Sequence, residues 1–167
     1  VENVDDDAAL IIQRSQGETN LSSLTHRLTY DGVSQENMIS EGFTAFTENT
    51  FAGIGGDVTF LKNVVGADWY QPVVDEWSIR LGAEVGNMFG IGEDTRINDR
   101  FFIGNSQVRG FEGAGLSPRD EPTGDPIGAK NYYAGTVEVR FPLGLGADLP
   151  VRGRVFADTG ASFGVDD

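Results

Sequence analysis

Arg96-Ile97-Asn98-Asp99-Arg100-Phe101-Phe102-Ile103-Gly104-Asn105-Ser106-Gln107-Val108-Arg109-Gly110-Phe111 separates two segments of alternating polarity. The stretch is too long and too apolar for a tight turn. It carries a paired aromatic step, Phe101 and Phe102, and it ends on Val108-Arg109-Gly110-Phe111. A loop this rich in Phe and Ile should pack on something, because left exposed it would be an interaction liability. The tripeptide Arg109-Gly110-Phe111 alone demands only a turn in which Gly110 supplies a positive φ. The flanking segments must say what surface the loop meets.

Residues 78–89 alternate most clearly. Ile79, Leu81, Ala83, Val85 and Phe89 face one way, interrupted by Asn87, and Ser78, Arg80, Gly82, Glu84, Gly86 and Met88 face the other. In 134–141, Val137, Val139 and Phe141 oppose Thr136, Glu138 and Arg140. In 151–158, Val151, Gly153, Val155 and Ala157 oppose Arg152, Arg154, Phe156 and Asp158. A soluble sheet would bury the apolar set, whereas a membrane barrel turns it toward lipid and encloses the polar set. Alternation alone satisfies both. The mixed signs of Arg80, Glu84, Glu138, Arg140, Arg152, Arg154 and Asp158 suit a wet lumen braced by cross-strand pairs. The solvated face of a soluble sheet is the competing reading.

Composition narrows the function classes. The 167 residues are enough for one domain with a real core. Cysteine is absent, so there is no disulfide framework or thiolate metal site. A lone His26 excludes most zinc and histidine-based catalytic arrangements. The net charge of −14 and pI near 4.3 argue against nucleic acid and anionic lipid surfaces. No apolar run is long enough for a transmembrane helix, but a spanning strand needs only ~10 residues of alternating polarity. No signal peptide is visible at Val1 and the chain starts mid-pattern, which suggests a mature or excised piece.

Along the rest of the chain, Asp5, Asp6 and Asp7 lack the spacing of a calcium loop and read as a solvated loop end. Residues 8–14 read as a short strand, 15–23 as a loop, and 24–31 as a strand with Leu24, His26, Leu28 and Tyr30 on its apolar face. Residues 32–40 read as a turn region. Residues 41–51 form a strand in which Phe43 and Phe46 break period two, as a bulge or an interfacial aromatic would. Ala52-Gly53-Ile54-Gly55-Gly56 is a hairpin link, not a phosphate cradle, since neither Gly-Lys-Ser/Thr nor a helix follows. Residues 57–70 form a long strand ending in Trp69 and Tyr70. A hairpin turn spans 71–76, and Trp77 restarts an aromatic belt. Residues 96–131 form the long loop, whose Gly-, Pro- and Asp-rich half, 112–130, reads as exposed and irregular. A turn over 143–150 and a final loop over 159–167 complete the chain.

Asp99-Arg100-Phe101-Phe102-Ile103-Gly104, Val108-Arg109-Gly110-Phe111 and the return strand Thr136-Val137-Glu138-Val139-Arg140-Phe141 together resemble one family. It is the BamA-type outer-membrane protein assembly factors, in which this loop folds back into a barrel lumen and docks its tip on the inner wall. The resemblance runs from about Leu24 to about Phe163. Asn105 departs from it, where the family usually has a second glycine. The implied fold is all-β: an antiparallel up-and-down meander forming a partial transmembrane β-barrel, about seven of sixteen strands, with residues 96–131 folded to the lumen side. Residues 1–167 would be one partial barrel domain. The periplasmic POTRA repeats and the remaining strands, including the seam, would lie outside it.

The resemblance also implies partners for the loop. Its arginine, Arg109, would pair with Glu138 on the strand after the loop and Asp158 on the next. Both already fall on the polar face by alternation. Arginine suits the task because its planar fork can hold two carboxylates. Val108 and Phe111 would shape the tip, with Phe111 as an apolar anchor. Gly110 would let the backbone approach the wall, and Phe101 and Phe102 would pack the loop. The implied activity is folding and insertion of other barrel proteins in a bacterial outer membrane, with no cofactor and no enzyme chemistry. Implied partners are unfolded outer-membrane clients, outer-membrane lipid and accessory assembly lipoproteins, and no nucleic acid. Two-partner secretion and TamA-type barrels share the architecture. A soluble all-β binding domain would instead bury Ile79, Leu81, Val137 and Val155 under a second layer.

Overall fold

The computed structural model describes residues 19–36, 39–144 and 151–166. Strands β1 (Ser23–Asp31), β2 (Ser34–Glu36), β3 (Ile39–Ala52), β4 (Phe60–Val74), β5 (Trp77–Gly90), β6 (Asn131–Pro142) and β7 (Arg152–Phe163) form one sheet. Its order is β1-β3-β4-β5-β6-β7, with every neighbouring pair antiparallel, and β2 pairs with β3 beyond the end of β1. A short 3-10 turn, Ile97–Asp99, interrupts the long β5–β6 connection. The architecture is therefore all-β and meandering, and the sheet does not close on itself.

Register assigns the faces. Phe43, Trp69, Leu81 and Val137 stand opposite one another across β3 to β6 and are 40–50% exposed. Val155 is 64% exposed. Among the described residues no second layer covers this apolar face, so the soluble-sandwich expectation fails at Leu81, Val137 and Val155. Ile79 is half-buried on the same face. The opposite face carries Arg80 facing Glu138, and Thr136 facing Asp158. The long loop lies on this polar face and brings its own apolar groups. Phe101 and Ile103 from the loop join Phe60, Met88 and Tyr132 in a buried cluster. Phe101 meets Tyr132 edge-on with centroids 4.8 Å apart, and Gly86 is bare beneath them, because a Cβ there would strike the Tyr132 ring.

Several boundaries differ from the sequence reading. Residues 32–40 hold β2, which continues the line of β1 along β3: Asp31 pairs with Thr44 and Ser34 with Glu41. The 71–76 turn is shorter, since β4 runs to Val74 through an irregularity at Pro72 and only Asp75 and Glu76 turn. Asp75 takes φ 47°, a conformation Asp tolerates in tight turns. Strand β7 continues to Phe163, because backbone pairing with β6 carries it past the point where alternation fades. Phe43 and Phe46 need no bulge, since β3 and β4 pair without slippage from Gly42 to Ala52. The two rings lie on opposite faces, Phe43 stacked on Tyr30 at 4.8 Å and Phe46 under the Arg27 guanidinium at 4.0 Å. The loop half 112–130 is irregular but not uniformly exposed. Ser117 and Ala129 are buried, and Ala129 bridges Phe101. The readings for residues 1–18, including the strand at 8–14, and for most of the 143–150 turn fall outside the described residues. The seventh strand of the sheet is thus the short β2.

Candidate functional site

The loop reaches the wall through a turn of its own. The amides of Gln107 and Val108 both donate to the Gly104 carbonyl, at 3.0 and 2.8 Å. Gly104 has no room for a side chain, because the Glu112 and Gly113 carbonyls occupy the space. Asn105, the departure from the family pattern, is compatible with this turn, and its Oδ1 accepts weakly from the Gly110 amide at 3.4 Å. The turn aims Val108 and Arg109 at strands β6 and β7.

Arg109 then makes a dense set of bonds. Its Nε and Nη2 donate to the two Asp158 oxygens at 2.7 and 2.6 Å, and Nη1 donates to Glu138 Oε2 at 2.7 Å. Nη2 also donates to Thr136 Oγ1 at 2.7 Å, and the backbone amide donates to Asp158 at 3.0 Å. The guanidinium lies 3.5 Å from the centroid of the Phe156 ring. Arg140 Nε donates to the other Glu138 oxygen at 2.7 Å. The carboxylates are almost fully enclosed, with side chains 1% exposed for Glu138 and 4% for Asp158, against 28% for Arg109. Two cations thus balance two buried anions. The Asp158 hydrogen bond pushes the Arg109 pKa further above its ordinary value against the cost of burial, and Glu138 adds to the rise. The guanidinium therefore stays charged throughout the accessible pH range.

The other predicted site residues fall in different places. Val108 is buried and sits over Gly160, where a Cβ would meet its Cγ2 at 2.6 Å. Phe101 is buried, while Phe102 is 39% exposed and lies against Gly128 on the loop's return half. Phe111 is 44% exposed, so on these strands Val108, not Phe111, supplies the apolar anchor. Gly110 has φ +94° and open space around it. Its role is the left-handed turn, not the close backbone approach expected of it.

Sequence reasoning missed a second cluster, at the loop root. Arg100 is 3% exposed, donates to the Thr95 carbonyl from Nε and Nη2, and reaches Asp166 at 3.1 Å. Asp166 also accepts from the Thr95 amide at 2.8 Å and pairs with Lys130. Arg100 belongs to the Asp99–Gly104 motif, but nothing in the spacing links it to an aspartate so far along the chain. Phe156 and Thr136 are legible as polar-face neighbours of Asp158 but give no signal of contact with the loop.

Replacing Arg109 by Ala leaves Glu138 and Asp158 buried with Arg140 alone, an expected cost of roughly 3–5 kcal/mol. In the intact parent protein, Arg109→Ala should expose the loop to protease far more than Arg119→Ala. The Arg119 side chain donates to the Gly124 carbonyl at an exposed site. At the root, burial works against the Asp166 charge, but the bonds from Lys130 and Thr95 outweigh it and hold the carboxyl at about 2, below its ordinary 3.8. The contribution of this carboxylate is complete above pH about 4 and is lost as pH falls through about 2. Deuterium-exchange protection of the Thr95 amide, corrected for intrinsic rate, should follow that window and lose it in Asp166→Asn.

The sequence and the fold have relatives among known proteins. Residues 2–166 match the Omp85 superfamily domain. The outer membrane protein assembly factor BamA of Neorickettsia risticii is 32% identical over 166 residues, covering 98% of this chain and 22% of that protein. The factor of the same name from Nitratidesulfovibrio vulgaris is 36% identical over 131 residues, covering 75% of this chain and 16% of that protein. The chain thus spans about a fifth of the length of these relatives. The crystal structure of BamA from Haemophilus ducreyi lacking POTRA domains 1–3 superposes with a TM-score of 0.74 at 19% identity, over 84% of this chain and 29% of that one. An open antiparallel meander with its apolar face uncovered, matched along nearly its whole length by one domain family, is a stretch of barrel wall: the chain belongs to the Omp85 superfamily.

Proposed function

We propose that this chain is part of the barrel wall of a BamA-type assembly factor, which folds and inserts client barrel proteins in a bacterial outer membrane. Its apolar face meets lipid, and its polar face lines the lumen. The Val108–Phe111 tip braces that wall, with Arg109 as the tie and Glu138 and Asp158 as its anchors. No covalent chemistry is involved. The remaining strands form a seam elsewhere in the barrel, where client strands add by edge pairing. POTRA repeats precede the barrel, and accessory lipoproteins act with the whole complex. The observation that carries this reading is the convergence of one loop arginine on two enclosed carboxylates from adjacent strands. A brace of that kind keeps one part of the wall rigid while another opens. Two-partner secretion and TamA-type barrels use the same architecture, but the names of both relatives favour the assembly factor.

The test uses the full-length parent protein reconstituted in vesicles with an unfolded outer-membrane client. Arg109→Ala should slow client insertion about tenfold or more while the parent barrel itself still folds. Arg109→Lys should fall between, since an ammonium keeps the charge but loses the bidentate fork. Insertion at the wild-type rate by both variants, with the loop released to protease, would remove the brace from the mechanism.

A further inference from the structure

Glu138 divides its two oxygens between two guanidiniums. Arg109 Nη1 donates to Oε2 and Arg140 Nε donates to Oε1, each at 2.7 Å. Only the first of these comes from the loop. Arg140 lies two residues along β6 from Glu138, on the same polar face. Arg80 stands directly opposite Glu138 in register but turns to Asp68, 2.7 Å away. Arg154 of β7 stands directly opposite Arg140 and is exposed. Like charges that face each other across a strand pair repel, which favours the lean of Arg140 toward Glu138. The Arg140 side chain is 33% exposed, against 1% for Glu138. The brace thus contains a cation that belongs to the wall itself.

A charge count shows what that cation does. With the tip docked, Arg109 and Arg140 balance Glu138 and Asp158. With the tip away, Arg140 leaves the anchors one negative charge in excess. Without Arg140 that excess would be two. A returning guanidinium would then meet twice the net charge and dock more tightly. Glu138 would also be enclosed with no cation whenever the tip left. Arg109 and Arg140 share one carboxylate, so their charges lie about 10 Å apart or less. At an effective dielectric near 20, a repulsion over that distance is worth about tenfold or more in the docking equilibrium.

We infer that Arg140 is a positioning residue that keeps the loop tie reversible. It acts through Glu138: by neutralising half of the anionic anchor in advance, it weakens the hold on Arg109 while supporting the wall. This rests on the brace reading above. The two roles have opposite signs, which separates Arg140 from a residue that only stabilises the sheet.

The experiment uses the full-length parent protein in vesicles. Deuterium exchange at the residue-109 amide, corrected for intrinsic rate, reads docking, because that amide donates to Asp158. Arg140→Gln should raise protection there about tenfold or more, with no rise in the urea midpoint of the barrel. Arg140→Lys, which keeps the charge, should stay within about threefold of wild type. Protection unchanged or lowered by Arg140→Gln, or raised as much by Arg140→Lys, would overturn the inference. Arg154→Glu offers Arg140 a competing carboxylate at an exposed site and should also raise protection. Where Arg140→Gln does not assemble, Arg154→Glu decides, and unchanged protection there overturns the inference. Arg109→Ala tests the brace separately. If it leaves the residue-109 amide as protected as in wild type, the brace reading itself fails.

Discussion

Two carboxylates enclosed by protein need a cation, and here it comes from a loop. Glu138 and Asp158 sit on adjacent strands with almost no solvent contact. Their placement would be untenable if each were alone. Arg109 reaches both at once because its fork is planar and its backbone amide adds a further bond to Asp158. The ion pairs do more than hold a side chain. They join the loop tip to β6 and β7, where Val108 lies over Gly160.

The loop is tied at two places with different chemistry. At the tip, charged hydrogen bonds predominate and the apolar contact comes from buried Val108, since Phe111 is 44% exposed. At the root, Phe101 and Ile103 are buried with Tyr132 and Met88, and Arg100 and Lys130 converge on Asp166. Apolar burial sets the stability of the root, whereas electrostatics sets the position of the tip. A long connection that would otherwise be mobile becomes a second layer on the polar side of the sheet. Among the described residues the apolar side is left uncovered.

The strands are legible in the sequence because alternation at period two records facing directly. It alone assigns Leu81, Val137 and Val155 to one face and Arg80 and Glu138 to the other. Alternation does not say which face is covered, because the pattern is the same for a soluble sheet and an inverted one. Strand ends are less legible. Pairing with β6 extends β7 to Phe163, and pairing with β3 creates β2, and both depend on a partner strand rather than on local composition. The root cluster is invisible for a similar reason: Arg100 and Asp166 are far apart in the chain and neither sits in a strand. Gly110 and Phe111 show how a motif can name the right residues while local geometry assigns them different work.

A loop brace requires Arg109 and Asp158 to be energetically coupled across the loop–wall contact, not merely adjacent. A double-mutant cycle on unfolding free energy in the full-length barrel, using Arg109→Ala, Asp158→Ala and the pair, measures that coupling directly. A coupling of about 2 kcal/mol or more, with the double variant far less destabilised than the sum of the singles, is the predicted result. Additivity within about 0.5 kcal/mol would mean that the two residues are adjacent without bracing the loop.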